Sequence, residues 1–266
     1  MYFKSITVVL IFITSLSFSQ SCSIATWNIA NFGASKDESE ITFIAKTIKD
    51  FDILAIQEIS VSPPGPQAVA RLIDALNRTG SKWDYAISDP TVGNGCERYA
   101  FVWKTSRVRL LGKPWLEKSM EQTIDREPFL ARFICNINDT FLMATIHTVP
   151  TKKLPQNECI QLYMLDSIYE KDHLIILGDF NLSHKSPAFD NMKARKIKPA
   201  FEKQKTTLKM KMAANGEVLA NEYDNIFYES DEIQIKDKGF LNFSTSFPDL
   251  KSARSISDHI PLFIYK

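Results

Sequence analysis

The sequence has almost no net charge and few of the residues that build thiol-rich sites. Its 32 lysines and arginines nearly balance 31 aspartates and glutamates, giving +1 at pH 7. Overall charge therefore does not predict binding to nucleic acid or another polyanion. The spacing of its four cysteines matches no zinc-site pattern. One or two disulfides, or buried thiols, are expected among these cysteines, with the pairing left open: Cys22, Cys96, Cys135 and Cys159.

The sequence also lacks internal repeats, low-complexity linkers and, after its first segment, apolar runs long enough to cross a bilayer. In that first segment an early lysine precedes a largely apolar run over residues 6–18. This pattern predicts a signal peptide over residues 1–19, and hence a secreted or periplasmic protein. An uncleaved anchor helix or a lipid on Cys22 are weaker alternatives, because the run is short and Ser19 is polar. Residues 22–266 are expected to form one domain.

Helical and strand-like apolar patterns alternate along the rest of the chain. Helical spacing predicts helices over residues 37–51, 67–80 and 157–170, with a loop at 61–67. Short apolar runs predict strands that alternate with helices near both ends and form hairpins in the middle. This order predicts an α/β fold, a four-layered sandwich of two packed mixed β-sheets with helices on the outside. The predicted strands cover residues 23–33, 52–59, 99–104, 108–112, 128–137, 140–147, 173–180, 225–230, 233–241 and 260–266.

Polar side chains recur at the ends of these predicted strands. The ends of strands in α/β sheets are where catalytic and ligand-binding groups collect. Each residue alone is equally typical of a loop cap, a surface ion pair or a turn. Their joint occurrence favours one functional site. The residues are Asn28, Glu58, His147, Asp179, Asn181, Asp258 and His259.

The residue types in this set favour metal-assisted hydrolysis. Carboxylates, amides and imidazoles without thiolates suit a hard divalent cation such as Mg²⁺, Mn²⁺ or Ca²⁺. Two histidines beside carboxylates can act as general acid and general base near neutral pH. A cation, an activated water and a protonated leaving oxygen are what phosphodiester hydrolysis requires.

Several motifs resemble the endonuclease/exonuclease/phosphatase superfamily over nearly the whole mature chain: "TWNIANFG", "LAIQEI", "ILGDFNLS", "NEYDNIFY" and "SISDHIPLF". Within it, "ERYAFVWK", "DREPFLARF" and "IHTVPTKK" resemble the deoxyribonuclease I family. The resemblance implies a monomeric, nonspecific endodeoxyribonuclease that acts on duplex DNA. It implies dependence on Mg²⁺ or Mn²⁺, with Ca²⁺ as a further ion. A sphingomyelinase-like or small-molecule phosphodiesterase or phosphatase of the same superfamily remains the alternative.

The resemblance also implies roles at the metal and the phosphate. Glu58 and Asp258 would hold the catalytic cation, with Asn28 close by. Asp179 and Asn181 would orient the water and the scissile phosphate, and both asparagines would contact phosphoryl oxygens.

Two carboxylate–histidine pairs would flank that phosphate, again by resemblance. Glu97 would pair with His147, and Asp224 with His259. One pair would activate water and the other would protonate the leaving oxygen. A carboxylate raises the basicity of its histidine and fixes the tautomer, so such pairs are chemically reasonable. Arg126 would contact the DNA backbone phosphate.

Two departures from the nuclease pattern concern the grip on DNA. Ser60 stands where the pattern has an arginine, and Gly95 where it has a tyrosine. In the resembled enzymes both side chains reach into the minor groove, so these changes favour the alternative substrates. A cation-rich segment, residues 192–215, has Glu202 as its only acid. It is either a solvated surface or a rim that follows phosphates. A non-catalytic binding module is disfavoured by the intact polar set.

Overall fold

The computed structural model describes residues 21–135 and 139–266, so the predicted signal peptide lies outside the described residues. None of the helices within these ranges has the length and apolar character needed to span a membrane. The strands are β1 (Ser23–Phe32), β2 (Ile53–Ile59), β3 (Trp83–Ile87), β4 (Arg98–Lys104), β5 (Val108–Leu116), β6 (Phe129–Cys135), β7 (Thr140–His147), β8 (Leu174–Asp179), β9 (Ile197–Pro199), β10 (Asp224–Glu229), β11 (Asp237–Phe240) and β12 (Leu262–Tyr265).

The strands form two mixed sheets, as the sequence predicts, and each sheet has six strands. The first sheet has the order β11-β12-β1-β2-β4-β3, and the second has the order β5-β6-β7-β8-β10-β9. Each sheet has one parallel pair, β1 with β2 and β7 with β8, and its other pairs are antiparallel. Strands β3 and β9 were not predicted, and β9 lies inside the cation-rich segment.

Helices cover the outer faces, which completes the predicted four-layered sandwich. One apolar layer lies between the sheets and includes Phe101, Phe133 and Met143. The other two layers lie beneath the helices on either side. The helices are α1 (Glu38–Ile48), α2 (Pro64–Asn77), α3 (Gln156–Cys159), α4 (Met164–Ile168), α5 (Asp190–Ala194) and α6 (Leu250–Ile256).

The structure confirms one predicted helix and corrects two. Helix α1 begins at a capping box, in which the Asp37 side chain accepts hydrogen bonds from the backbone of Ser39 and Glu40. Helix α2 begins at Pro64, inside the predicted loop, because proline is tolerated in the first turn of a helix. The predicted helix over 157–170 is wrong as one element. Between α3 and α4 the backbone N–H groups bond three residues back, which tightens and interrupts the helix.

One disulfide joins Cys22 to Cys135, with a Cα–Cα distance of 6.1 Å. Cys96 and Cys159 are free thiols, exposed and buried respectively. The prediction of one or two disulfides therefore resolves to one. The sulfur of Cys22 is already bonded and its side chain is buried, which argues against lipid attachment at this residue.

Candidate active site

The topology brings the predicted polar residues to one edge of both sheets. Parallel strands β7 and β8 end at His147 and Asp179, which are register partners. Antiparallel β10 begins beside this edge, where Asp224 pairs with Asp179. In the first sheet, β4 begins opposite the end of β2, directly after Glu97. The two edges meet, because the Asn28 amide nitrogen donates to Asp179 Oδ2 across the sheets at 3.0 Å.

Glu58 is directed into the edge by an irregular strand end. Its φ of +63° is left-handed, which is uncommon for a residue other than glycine and often marks a functional position. The β2–β4 register shifts between Ile56 and Ile59, and such irregularities re-aim side chains. The carboxylate accepts from the Asn28 amide and from the backbone N–H of Asn31, both at 3.0 Å.

The first carboxylate–histidine pair lies on the β2 and β7 side of the edge. His147 Nδ1 is 3.0 Å from Glu97 Oε2. The same Glu97 oxygen accepts from Arg126 Nη1 at 3.0 Å, and the second oxygen accepts from the Glu58 backbone N–H at 3.2 Å. These bonds fix the carboxylate, which in turn holds the imidazole with Nε2 facing away from Glu97.

The second pair mirrors the first across Asp179. His259 Nδ1 is 2.7 Å from Asp224 Oδ2. Its Nε2 lies 3.6 Å from Asp179 Oδ2, and Nε2 of His147 lies 3.4 Å from the same oxygen. Both rings therefore direct Nε2 to one point, although their carboxylate partners lie on opposite sides.

A cleft of about 610 Å³ opens over this point. Asn28 and Asp224 lie behind its wall and are buried. Every other predicted site residue reaches the cleft surface. Those residues are Glu58, Glu97, Arg126, His147, Asp179, Asn181, Asp258 and His259.

Known proteins that match this chain share its family and its fold. A model of the endonuclease/exonuclease/phosphatase family matches residues 25–259. The chain belongs to this family. The membership predicted from the motifs is thus confirmed, and the protein is a hydrolase of the endonuclease/exonuclease/phosphatase superfamily.

Relatives in this family include named deoxyribonucleases. A deoxyribonuclease of Thioalkalivibrio sp. (strain K90mix) is 28% identical, over 91% of this chain and 70% of that protein. Deoxyribonuclease gamma of Mus musculus is 27% identical, over 95% of this chain and 87% of that protein. A solved family member from Bacteroides thetaiotaomicron covers 92% of this chain and 97% of its own, with a TM-score of 0.65 and 16% identity. That likeness shows the shared fold.

Buried ionisable groups in this cleft shift one another's pKa values. Burial favours a neutral imidazole, but the carboxylates of Glu97 and Asp179 outweigh burial and raise the pKa of His147. At His259 burial is likewise outweighed by Asp224 and Asp179, and the pKa rises to about 10. Burial alone would raise the pKa of Asp179, yet the two imidazoles and its hydrogen-bond donors lower it. The cleft therefore holds the Asp179 carboxylate between two imidazoles, each bonded to a second carboxylate.

The donors at the edge fit a hard divalent cation. Asn28 donates hydrogen bonds to Glu58 and Asp179 through Nδ2, and its buried Oδ1 has no hydrogen-bond partner within the described residues. An unpaired buried carbonyl oxygen beside the Glu58 carboxylate is the kind of group that Mg²⁺ or Mn²⁺ would satisfy. A second group, Asp179, Asp224 and His259, also has ligand atoms within 4.8 Å of one another.

The predicted ligands Asn28 and Glu58 and this second group are two candidate positions for a cation. In the second group His259 Nδ1 and Asp224 Oδ2 are bonded to each other, and Asp224 Oδ1 is buried with no hydrogen-bond partner within the described residues. Asp258 lines the same cleft as Glu58, and its Oδ2 accepts from Arg254 Nη2 at 3.1 Å. The predicted ligands thus reach one cleft, although Asp258 has an arginine partner that the sequence motif did not indicate.

Arg126 and Asn181 are largely engaged by the protein itself. Arg126 is 6% exposed, and its two Nη atoms donate to Glu97 and to the backbone oxygen of Thr148. Asn181 has a left-handed φ of +46° and donates from Nδ2 to the same Thr148 oxygen at 3.0 Å. Their contacts with a phosphate stay predictions.

Sequence reasoning missed the groups that hold the site residues in place. Tyr99 is fully buried, as its apolar context predicts, but its hydroxyl accepts from the His147 backbone N–H and donates to the Arg126 oxygen. The Thr206 hydroxyl accepts from the Asp224 backbone N–H at 3.1 Å. Ser257 accepts from the His259 backbone N–H at 3.0 Å. The two-residue spacing of Ser257 from His259 was the only sequence signal for these contacts.

The cation-rich segment 192–215 borders the cleft, but several of its basic side chains form local ion pairs. Thr207 forms a bridge with His259, which places this part of the segment beside the site. Surface ion pairs reduce the charge left for a ligand. The phosphate-following rim therefore stays a prediction. Ion pairs join Lys193 to Asp190, Arg195 to Asp166, and both Lys205 and Lys209 to Glu217.

Proposed function

We propose that this family hydrolase is a metal-dependent deoxyribonuclease that cleaves DNA phosphodiester bonds with little sequence preference. The observation that carries the proposal is the pair of imidazoles, Nε2 atoms of His147 and His259, that face one oxygen of Asp179 from opposite carboxylate partners. The names of the Thioalkalivibrio and Mus musculus relatives support DNA as the substrate.

The carboxylates determine which ring nitrogen of each histidine faces the substrate. Because Glu97 and Asp224 bind the Nδ1 atoms, the Nε2 atoms are left to exchange protons with substrate groups. A phosphate above Asp179 would lie between them. One ring would take the proton of the attacking water, and the other would return a proton to the departing 3′ oxygen.

The remaining residues would hold the phosphate and the cation that balances its charge. A divalent cation held by Glu58 and Asp258, with Asn28 Oδ1 beside it, would neutralise charge that develops on the phosphoryl oxygens. Asp179 would orient the attacking water, and the Asn181 amide would contact the phosphate without adding charge. The phosphate contact expected of Asn28 does not fit the structure, because this side chain is buried behind the cleft wall and its Nδ2 donates to Glu58 and Asp179. We propose that Arg126 acts mainly by positioning Glu97, which it binds at 3.0 Å.

We further propose that the protein is exported and acts as a monomer. The Cys22–Cys135 disulfide is suited to an oxidising compartment. Free DNA outside the cell or in the periplasm would then be the substrate.

The proposed function is tested by measuring the nicking of supercoiled plasmid in the presence of different ions. We expect nicking with Mg²⁺ or Mn²⁺ and no nicking in excess EDTA, because removing the cation leaves phosphoryl charge without neutralisation. Ca²⁺ added with Mg²⁺ tests the further ion. Relaxed and linear products on a gel measure the rate, and full nicking in EDTA would contradict the proposal.

A lipid headgroup or small phosphate ester is the second candidate, and one structural feature favours it. Gly95 donates its backbone N–H to Asp125 Oδ2, and a Cβ at Gly95 would approach that oxygen to 2.8 Å. A tyrosine at this position, which could grip a duplex, would therefore require the Asp125 carboxylate to move. Faster release of phosphocholine from sphingomyelin than cleavage of DNA would favour this candidate.

A further inference from the structure

A second groove, of about 1070 Å³, opens beside the active-site cleft. Met210 and Met212 line it and are 75% and 63% exposed. Phe247, Pro248 and Leu250 line it as well. Exposed apolar side chains that cluster in a concave surface mark a binding site more often than chance exposure. Nothing in the proposed hydrolysis uses this groove.

The groove is joined to the active site through one side chain. Arg254 lines the groove, and its Nη2 donates to Asp258 Oδ2 at 3.1 Å. Its Nη1 donates to the backbone oxygen of Leu208. The backbone N–H of Leu208 in turn donates to the backbone oxygen of Asp258 at 2.7 Å. Met210 follows Leu208 by two residues. A strand whose phosphate lies in the cleft would therefore reach the groove within a few nucleotides.

The groove combines an apolar lining with a cationic rim. Lys211 and Lys251 line it, against one acid, Asp249, while Arg254 is paired with Asp258. This arrangement complements an unpaired nucleic-acid strand, whose phosphates bind the cations while its bases cover apolar surface. Duplex DNA keeps its bases stacked inside and cannot use an apolar lining. A bilayer would need a projecting apolar surface, whereas this one is concave.

We propose that this groove binds unpaired nucleotides next to the scissile phosphate, so that single-stranded or locally melted DNA is the preferred substrate. This inference rests on the proposed deoxyribonuclease function and specifies its substrate. Methionine side chains are flexible and polarisable, so the two exposed methionines can contact any base. The groove therefore adds affinity without sequence preference.

The test compares the double variant Met210→Ser/Met212→Ser with the wild type by fluorescence anisotropy in EDTA. The probes are a fluorescein-labelled oligothymidylate and a labelled duplex of the same length. We expect the variant to bind the single strand about tenfold more weakly, the scale of one lost base contact, and the duplex equally well. Met164→Ser on α4, a methionine that is 37% exposed and does not line the groove, is the matched control and should change neither affinity.

Equal affinity of the double variant and the wild type for the single strand would overturn the proposal. So would an absence of single-strand binding by the wild type, or a variant defect seen only with phosphatidylcholine vesicles. Because the two exposed methionines do not line the cleft and have no role in the proposed hydrolysis, hydrolysis of a small chromogenic phosphodiester should be unchanged in the variant. Failure of the deoxyribonuclease function itself would be seen separately, as wild-type protein that nicks no plasmid with any cation.

Discussion

Replacing His147 with alanine is expected to lower plasmid nicking by about 10²–10⁴-fold, the usual contribution of a positioned acid or base. The substitution removes the ring whose Nε2 faces Asp179 and leaves Glu97 with its Arg126 partner. His259→Ala should have a comparable effect for the same reason. Initial rates at saturating Mg²⁺ measure the loss, and thermal unfolding shows whether each variant is folded.

The matched control is His184→Ala. His184 is also largely buried and lies 3.9 Å from a carboxylate, Glu222, but it does not line the cleft. Its substitution should leave the nicking rate within about twofold, since it touches no reacting group. The double variant lacking both cleft histidines should be little slower than either single variant, because residues that act as a unit are not additive. A double variant with wild-type activity would refute the roles assigned to these rings.

Glu58→Gln is expected to lower activity by at least about 100-fold and to weaken Mn²⁺ binding in parallel. Glutamine keeps the size of the side chain but removes the charge that the cation needs. It also places an NH₂ group next to a donor, whichever way the amide is turned, because Glu58 accepts from both Asn28 and Asn31. Isothermal titration with Mn²⁺ measures binding without relying on activity.

Glu222→Gln is the control for this second prediction. Glu222 is partly buried and accepts from Ser183 and Lys185, but it lies outside the cleft lining. Its substitution should leave the affinity for Mn²⁺ unchanged. Unaltered Mn²⁺ affinity in Glu58→Gln would place the cation elsewhere, with the group of Asp179, Asp224 and His259 as the next candidate.

The layers and the site edge were predictable because they depend on patterns that the chain repeats. Apolar runs define β7 and β8, and parallel neighbours must end at the same sheet edge, which brings His147 and Asp179 together. The Glu97–His147 and Asp224–His259 contacts were expected from the family resemblance, and both carboxylates lie within 3.0 Å of their histidines.

Other features depend on contacts between distant residues, which no local pattern records. The left-handed backbone of Glu58 arises from the register shift at the end of β2. Arg126 binds Glu97 only because the segment before β6 meets the start of β4 in the fold. Tyr99 has an apolar context, so its sequence gave no sign that its hydroxyl links His147 to Arg126.

The central claim is that the cleft residues surround one cation and one phosphate. The most direct test is the anomalous diffraction of a crystal grown with Mn²⁺ and a nonhydrolysable thymidine phosphodiester. The account predicts a manganese peak about 2.1 Å from a Glu58 oxygen, with the phosphorus between the Nε2 atoms of His147 and His259. Manganese bound away from Glu58, or a phosphate that contacts neither imidazole, would contradict it.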